Sequence, residues 1–85
     1  MSNKLEILKK KLIYRASYRG TKEMDILLSG FVNKYIDKLD NDLLEELDEF
    51  LNFEDEVILN YYHYDLVENN IDKNKISEIF KDFKM

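Results

Sequence analysis

The stretch YRGTKEMD, residues 18–25, decides how this chain is divided. It carries one of only two glycines in 85 residues, and no proline occurs anywhere to break a helix in its place. A glycine inside a helix costs roughly 1 kcal/mol relative to alanine. Gly20 therefore predicts a junction, where a positive φ or a close approach to the backbone matters. On its N-terminal side Leu5, Leu8 and Leu12 recur at i, i+3 and i+7, with Lys9, Lys10 and Lys11 largely turned to water. That helix is expected to fade by Tyr18 or Arg19, with Gly20 as its left-handed cap. Thr21 then suits the N-cap of a second helix, with Glu23 and Asp25 in its first turn, where the helix dipole favours carboxylates. Met24, Leu27, Leu28, Phe31 and Tyr35 give that helix a broad apolar face, extended by Ile36 and Leu39.

The same punctuation continues outward. DND at 40–42 is a stop and restart, with Asp40 or Asn41 capping a third helix whose face is Leu43, Leu44, Leu47, Phe50 and Leu51. NFEDE at 52–56 is a polar break before Val57, Ile58, Tyr61 and Tyr62 on a fourth. ENNIDKN at 68–74 reads as a turn cluster, with Asp72 as the expected cap of a last helix bearing Ile76, Ile79, Phe80 and Phe83. No stretch alternates apolar and polar residues between hairpin turns, so strands are not expected. The reading is all-α: a compact bundle of five short helices, forming one domain over residues 1–85. Helices of this length do not stand alone in water, so their apolar faces must pack on one another. Tyr61, Tyr62 and Tyr64 point different ways on one helix, so at least one ring is expected at the surface, where tyrosine favours interfaces.

Net charge is −5, unevenly spread. Residues 1–23 hold seven Lys/Arg and two Glu, whereas residues 24–85 hold six Lys and sixteen Asp/Glu. Between Leu39 and Asp72 there is no Lys or Arg. Such a dipole steers partners and works against nucleic acid, whose phosphates the acidic part repels. A nucleic-acid binder built on the basic first helix is disfavoured on that ground. A small acidic regulator that binds a basic protein through the acids of 40–56 is the alternative reading.

No cysteine occurs, so no thiolate chemistry, disulfide or Cys-based metal cage is available. No apolar run approaches the roughly 20 residues of a membrane span, and MSNKLEILKKKL lacks the apolar segment of a secretory signal. With Lys, Asn and Ile abundant, as in AT-rich genomes, the expectation is a bacterial, cytoplasmic, monomeric protein. His63 is the sole histidine and has no Ser or Cys partner at useful spacing. EELDE and FEDE lack calcium-loop spacing, and no phosphate-binding glycine motif is present. An enzyme is the least favoured class, with no catalytic residue, metal ligand or cofactor-binding residue assigned.

The corner at Gly20 admits two readings. As a joint, Arg19 complements the C-terminal dipole of the first helix and Glu23 the N-terminal dipole of the second. As a site, it presents a cation, bare backbone and a carboxylate in one patch.

The order of residues in KLIYRASYRGTKEMDILLSGF (11–31) resembles the succinate dehydrogenase assembly factor family, the SdhE-type FAD assembly factors, whose hallmark is R-G-x-x-E. Arg19, Gly20 and Glu23 occupy that motif, Tyr14 the upstream aromatic, Asp25 the following acid and Phe31 the aromatic that ends the helix. YIDKLDNDLLEELDEFLNFEDEVILNYY resembles the family's second block. It departs from it at Glu54-Asp55-Glu56, where prolines are usual, at Tyr61 in place of a Trp, and at Tyr64 in place of a loop glycine. Lys11 stands where the family often has Arg. The resemblance implies a five-helix binding protein. Its partner would be the flavoprotein subunit of succinate dehydrogenase or fumarate reductase, and it would promote covalent attachment of FAD to that client. FAD would belong to the client, with none bound stably by this chain. The client-binding residues it implies are Lys11, Tyr14, Arg15, Arg19, Gly20, Glu23, Asp25 and Tyr61, with Arg19 pairing a client carboxylate and Lys11 and Arg15 steering.

Overall fold

A computed structural model describes residues 3–84, so the ends of the expected 1–85 domain lie outside the described residues. Five α-helices follow one another: α1 (Asn3–Ser17), α2 (Lys22–Tyr35), α3 (Asn41–Phe50), α4 (Asp55–Tyr64) and α5 (Lys75–Asp82). Single turns of 3₁₀ helix at Ile36–Lys38 and Ile71–Lys73 precede α3 and α5. No strand occurs among the described residues. The Cα radius of gyration is 12.3 Å, close to the roughly 12 Å of a well-packed chain of this length.

Three of the helices, α2, α3 and α5, start where a side chain satisfies free N–H groups. Thr21 Oγ accepts from Met24 N–H (3.3 Å), and Asp40 Oδ1 from Leu43 N–H (2.9 Å). The last helix corrects the expectation at Asp72, which falls inside a 3₁₀ turn while Asn74 takes the N-cap. Asn74 Oδ1 accepts from Ile76 and Ser77 N–H, and its Nδ2 donates to the Glu46 carbonyl (2.9 Å). One side chain thus starts α5 and ties it to α3. Asp72 has no comparable anchor, because the turn that buries Ile71 delays the helix by two residues.

The core is a stack of aromatic and aliphatic residues. Phe31, Phe50 and Phe80 are fully buried, with Phe31 and Phe80 edge to face at 5.1 Å and Phe50 and Phe80 at 5.3 Å. Leu12 and Ala16 of α1, Met24, Leu28 and Val32 of α2, and Leu44 and Leu47 of α3 close around them. Burial of a side chain of this size is worth about 1.5–3 kcal/mol, so the bundle, rather than any isolated helix, stabilises the helical state. Leu5 and Leu8 are only partly buried, so α1 tapers onto the bundle from its free end. Of the three clustered tyrosines, Tyr61 is buried, Tyr62 is half-buried with its hydroxyl donating to the Phe83 carbonyl (2.6 Å), and Tyr64 is exposed.

Candidate functional site

The α1–α2 corner is built by two side chains that point in opposite directions along the chain. Helix α1 ends at Ser17, a residue or two before the expected fade, and Tyr18–Thr21 make the bend. Gly20 sits at φ +123°, a conformation L side chains rarely adopt, and a Cβ there would meet no atom within 4 Å. Glycine is required by the backbone and not by crowding, so the main chain at Gly20 faces open space. Asp25, one turn into α2, reaches back so that Oδ1 accepts the Arg19 backbone N–H at 2.6 Å. That bond ties the bend to the second helix.

The Arg19 side chain runs the other way, into the gap between α3 and α4. Its Nη1 donates to the Leu51 carbonyl (2.6 Å), Nη2 to the Phe53 carbonyl (2.7 Å) and Nε to Asp55 Oδ1 (2.9 Å). With the side chain only 11% exposed, one guanidinium closes carbonyls left free at the end of α3 and pairs the first residue of α4. The expected dipole partner of Arg19 was the end of α1; the helix end it caps is that of α3. The planar fork of five donors suits three acceptors spread around its edge, which the compact ammonium of a lysine does not reach together.

Arg15 is engaged in the same manner. It pairs with Asp48 and donates through Nη2 to Asn52 Oδ1 (2.6 Å), pinning α1 to the end of α3. Lys11 is exposed, whereas Lys9 is largely covered and pairs with Asp37 (3.3 Å). Glu23 projects outward at 64% side-chain exposure, its Oε2 3.3 Å from His63 Nε2 of α4. Between them Ile26, Leu27 and Tyr62 line a shallow apolar hollow of about 280 Å³. Tyr14 is 65% exposed and pairs with Tyr18, ring centroids 4.7 Å apart.

The corner therefore brings together Tyr14, Arg15, Arg19, Gly20, Glu23 and Asp25 from the expected set, but in two classes. Gly20, Glu23 and Tyr14 face solvent, as does Lys11 farther along α1; Arg15 and Arg19 are joined to neighbouring helices and Asp25 to the backbone of the bend. Tyr61 stands apart, 7% exposed in the core beneath the Lys81 ammonium, 5.0 Å from its ring centroid. Sequence reasoning did not single out Tyr18, Asp55 or His63 as members of this region. Tyr18 carried a signal, its i+4 spacing from Tyr14; the long-range partners Asp55 and His63 carried none.

No group of acidic and His side chains among the described residues can hold a metal ion. No described helix is long and apolar enough to cross a membrane.

Fold and corner together define a small helical domain with one braced polar bend and an exposed carboxylate beside open backbone. Residues 10–84 match the Sdh5 family, described as flavinator of succinate dehydrogenase, and the chain belongs to that family. It is similar to "Succinate dehydrogenase assembly factor 2, mitochondrial" of Schizosaccharomyces japonicus, at 41% identity over 64% of this chain and 38% of that protein. The namesake of Saccharomyces cerevisiae is 50% identical over 49% of this chain and 26% of its own length. That of Meyerozyma guilliermondii is 39% identical over 91% of this chain and 53% of its own. The chain thus spans about half or less of the length of these relatives. No solved structure matches it significantly.

These relatives overturn the expectation of a bacterial, cytoplasmic protein, because they are mitochondrial proteins of yeasts. The reasoning failed because abundant Lys, Asn and Ile reflects base composition, which has no physical link to compartment. The absence of Cys does not distinguish one reducing compartment from another.

Proposed function

We propose that this chain binds the flavoprotein subunit of succinate dehydrogenase, or of the related fumarate reductase, and promotes covalent attachment of FAD to it. It does so by holding the client's flavin domain in an attachment-competent arrangement, and performs no group transfer itself. The observation that carries this reading is the corner: open backbone at Gly20 and a protruding Glu23 carboxylate, set on a bend that Arg19 and Asp25 hold rigid. A bend held in advance loses little freedom on docking, which favours affinity.

The names of the relatives supply the client; the chemistry of the corner supplies the manner. Gly20 lets a client surface reach the main chain, and Glu23 accepts hydrogen bonds from it. Arg19 contributes through the bend it holds, since its donors are already engaged within the chain. Selecting one client arrangement is a population shift, limited by the difference in affinity for the two arrangements. A difference of about 2.7 kcal/mol raises a rare competent state roughly a hundredfold.

FAD is the client's group. Supporting that assignment, the groove beside the bend is lined by Glu54, Asp55 and Glu56, which oppose a diphosphate, and its two arginines, Arg15 and Arg19, are already paired within the chain.

The test is covalent flavin on the client, scored by fluorescence on a denaturing gel, in cells carrying the wild-type chain, Gly20→Arg or Glu23→Ala. Both variants are expected to remain helical and to lose flavin attachment. Normal attachment with both would reduce the corner to a joint.

A further inference from the structure

Next to the bend lies a groove that neither Gly20 nor Glu23 lines. It has a volume of about 560 Å³ and runs between the last turn of α1 and the first turn of α4. One wall is the Tyr14–Tyr18 pair, one helical turn apart, 65% and 70% exposed, with ring planes inclined by 42°. Two large aromatic side chains paired at a tilt in water contribute little to this core, and tyrosine is enriched where proteins meet. The other wall is Glu54 and Glu56, both exposed, and neither carboxylate has a hydrogen-bond or ion partner among the described residues.

The groove also contains two arginines, and their state decides its polarity. Arg15 is paired with Asp48 and Asn52. Arg19 is closed on Asp55 and two carbonyls. Their charges are thus met from beneath, leaving the carboxylates of Glu54 and Glu56 uncompensated at the mouth. The faces of the tyrosine rings carry the negative lobe of the aromatic quadrupole. Both walls therefore attract a cation. Guanidinium meets both demands, because it stacks flat on a tyrosine face and forks to a carboxylate. An ammonium satisfies the charge but neither the stacking nor the fork.

We infer that this groove seats an arginine-bearing loop of the client flavoprotein, the guanidinium lying between the Tyr14–Tyr18 rings and the carboxylates of Glu54 and Glu56. The inference rests on the reading of the corner as a client-docking surface and extends that surface onto α4. It also reverses the polarity expected at this edge: the client offers a cation to this chain's acids, and not a carboxylate to Arg19.

The test is equilibrium binding of the purified flavoprotein subunit of succinate dehydrogenase to the full chain, at low and physiological salt. Four variants are compared with wild type: Tyr14→Ala/Tyr18→Ala, Tyr14→Phe/Tyr18→Phe, Glu54→Gln/Glu56→Gln, and Glu23→Ala. Their side chains are exposed, so melting curves should stay close to wild type. The Ala pair and the Gln pair are expected to weaken binding about tenfold or more, as desolvated interface partners do on truncation. The Phe pair, which keeps the ring faces, should stay within about twofold, and the Gln pair should flatten the salt dependence. If the Ala and Gln pairs bind like wild type while Glu23→Ala does not, the groove is no docking site and the corner reading survives. A Phe pair as weak as the Ala pair overturns stacking as the mode of recognition. Failure of the wild-type chain to bind overturns the client reading and this inference with it.

Discussion

Two connections between helices take left-handed turns, and they are held by different means. The α1–α2 bend is four residues long and turns on Gly20 at φ +123°. The α4–α5 connection is about ten residues long and turns on Asp65, Asn69 and Asn70 at φ of 57°, 55° and 60°. Asp and Asn tolerate the left-handed well near +57° because their short polar side chains bond locally; at +123° no side chain is accommodated comfortably. The short bend is braced from a distance, by an arginine reaching α3 and α4 and by an aspartate from α2. The long connection is secured at its far end, by the buried plug of Ile71 and by Asn74, which caps α5 and donates to the Glu46 carbonyl of α3, while Leu66 and Val67 stay half in water. Bracing leaves the outer face of the short bend free of contacts, and that face is the candidate site.

If that contrast is right, the largest single effect belongs to the brace. Arg19→Ala leaves Asp55 and two carbonyls unpaired in a nearly buried gap, a loss of about 3 kcal/mol. A drop in melting temperature of more than about 10 °C follows for a domain of this size, measurable by far-ultraviolet circular dichroism. Arg19→Lys should recover little, since one ammonium cannot serve three separated acceptors. A melting temperature unchanged by Arg19→Ala would show that the bend needs no brace.

Asn74→Ala tests the other connection and should cost about 2 kcal/mol, through loss of a cap bonding two N–H groups and of a buried donor to Glu46. Urea unfolding would register it, and Asn74→Asp should fall between, keeping the cap and losing the donor. Exchanging the turn residues sharpens the comparison further. Gly20→Asn should destabilise by about 1–2 kcal/mol from backbone conformation alone. Asn70→Gly should shift unfolding by less than about 0.5 kcal/mol, because glycine accepts φ +60° but adds freedom to the unfolded chain. Equal effects from the two exchanges would mean that the bends are conformationally alike after all.

The helices themselves were legible because their signals are local. Leu5, Leu8 and Leu12, or Leu44, Leu47 and Leu51, recur at helical spacing, and Thr21 and Asp40 announce the starts that follow them. Asp72 misled because Asp72 and Asn74 are both competent caps; only the burial of Ile71 and the contact of Asn74 with Glu46 separate them. Gly20 was legible as a break, and Glu23 as a carboxylate in a first turn. The role of Arg19 was not. Whether a guanidinium faces solvent or closes Leu51, Phe53 and Asp55 depends on residues more than thirty positions away.

By itself the amino-acid sequence determined the all-helical state, the starts of α2 and α3 at Thr21 and Asp40, and the family signature around Gly20, because hydrophobic period, capping and φ preference act over a few residues. Tertiary structure alone decided which charges of that signature stay free. Arg15, Arg19 and Asp25 became struts, while Glu23, Glu54 and Glu56 remained at the surface. The physical reason is that an ion pair between distant helices forms only once the apolar core has brought them to within about 3 Å, and no local pattern records that distance.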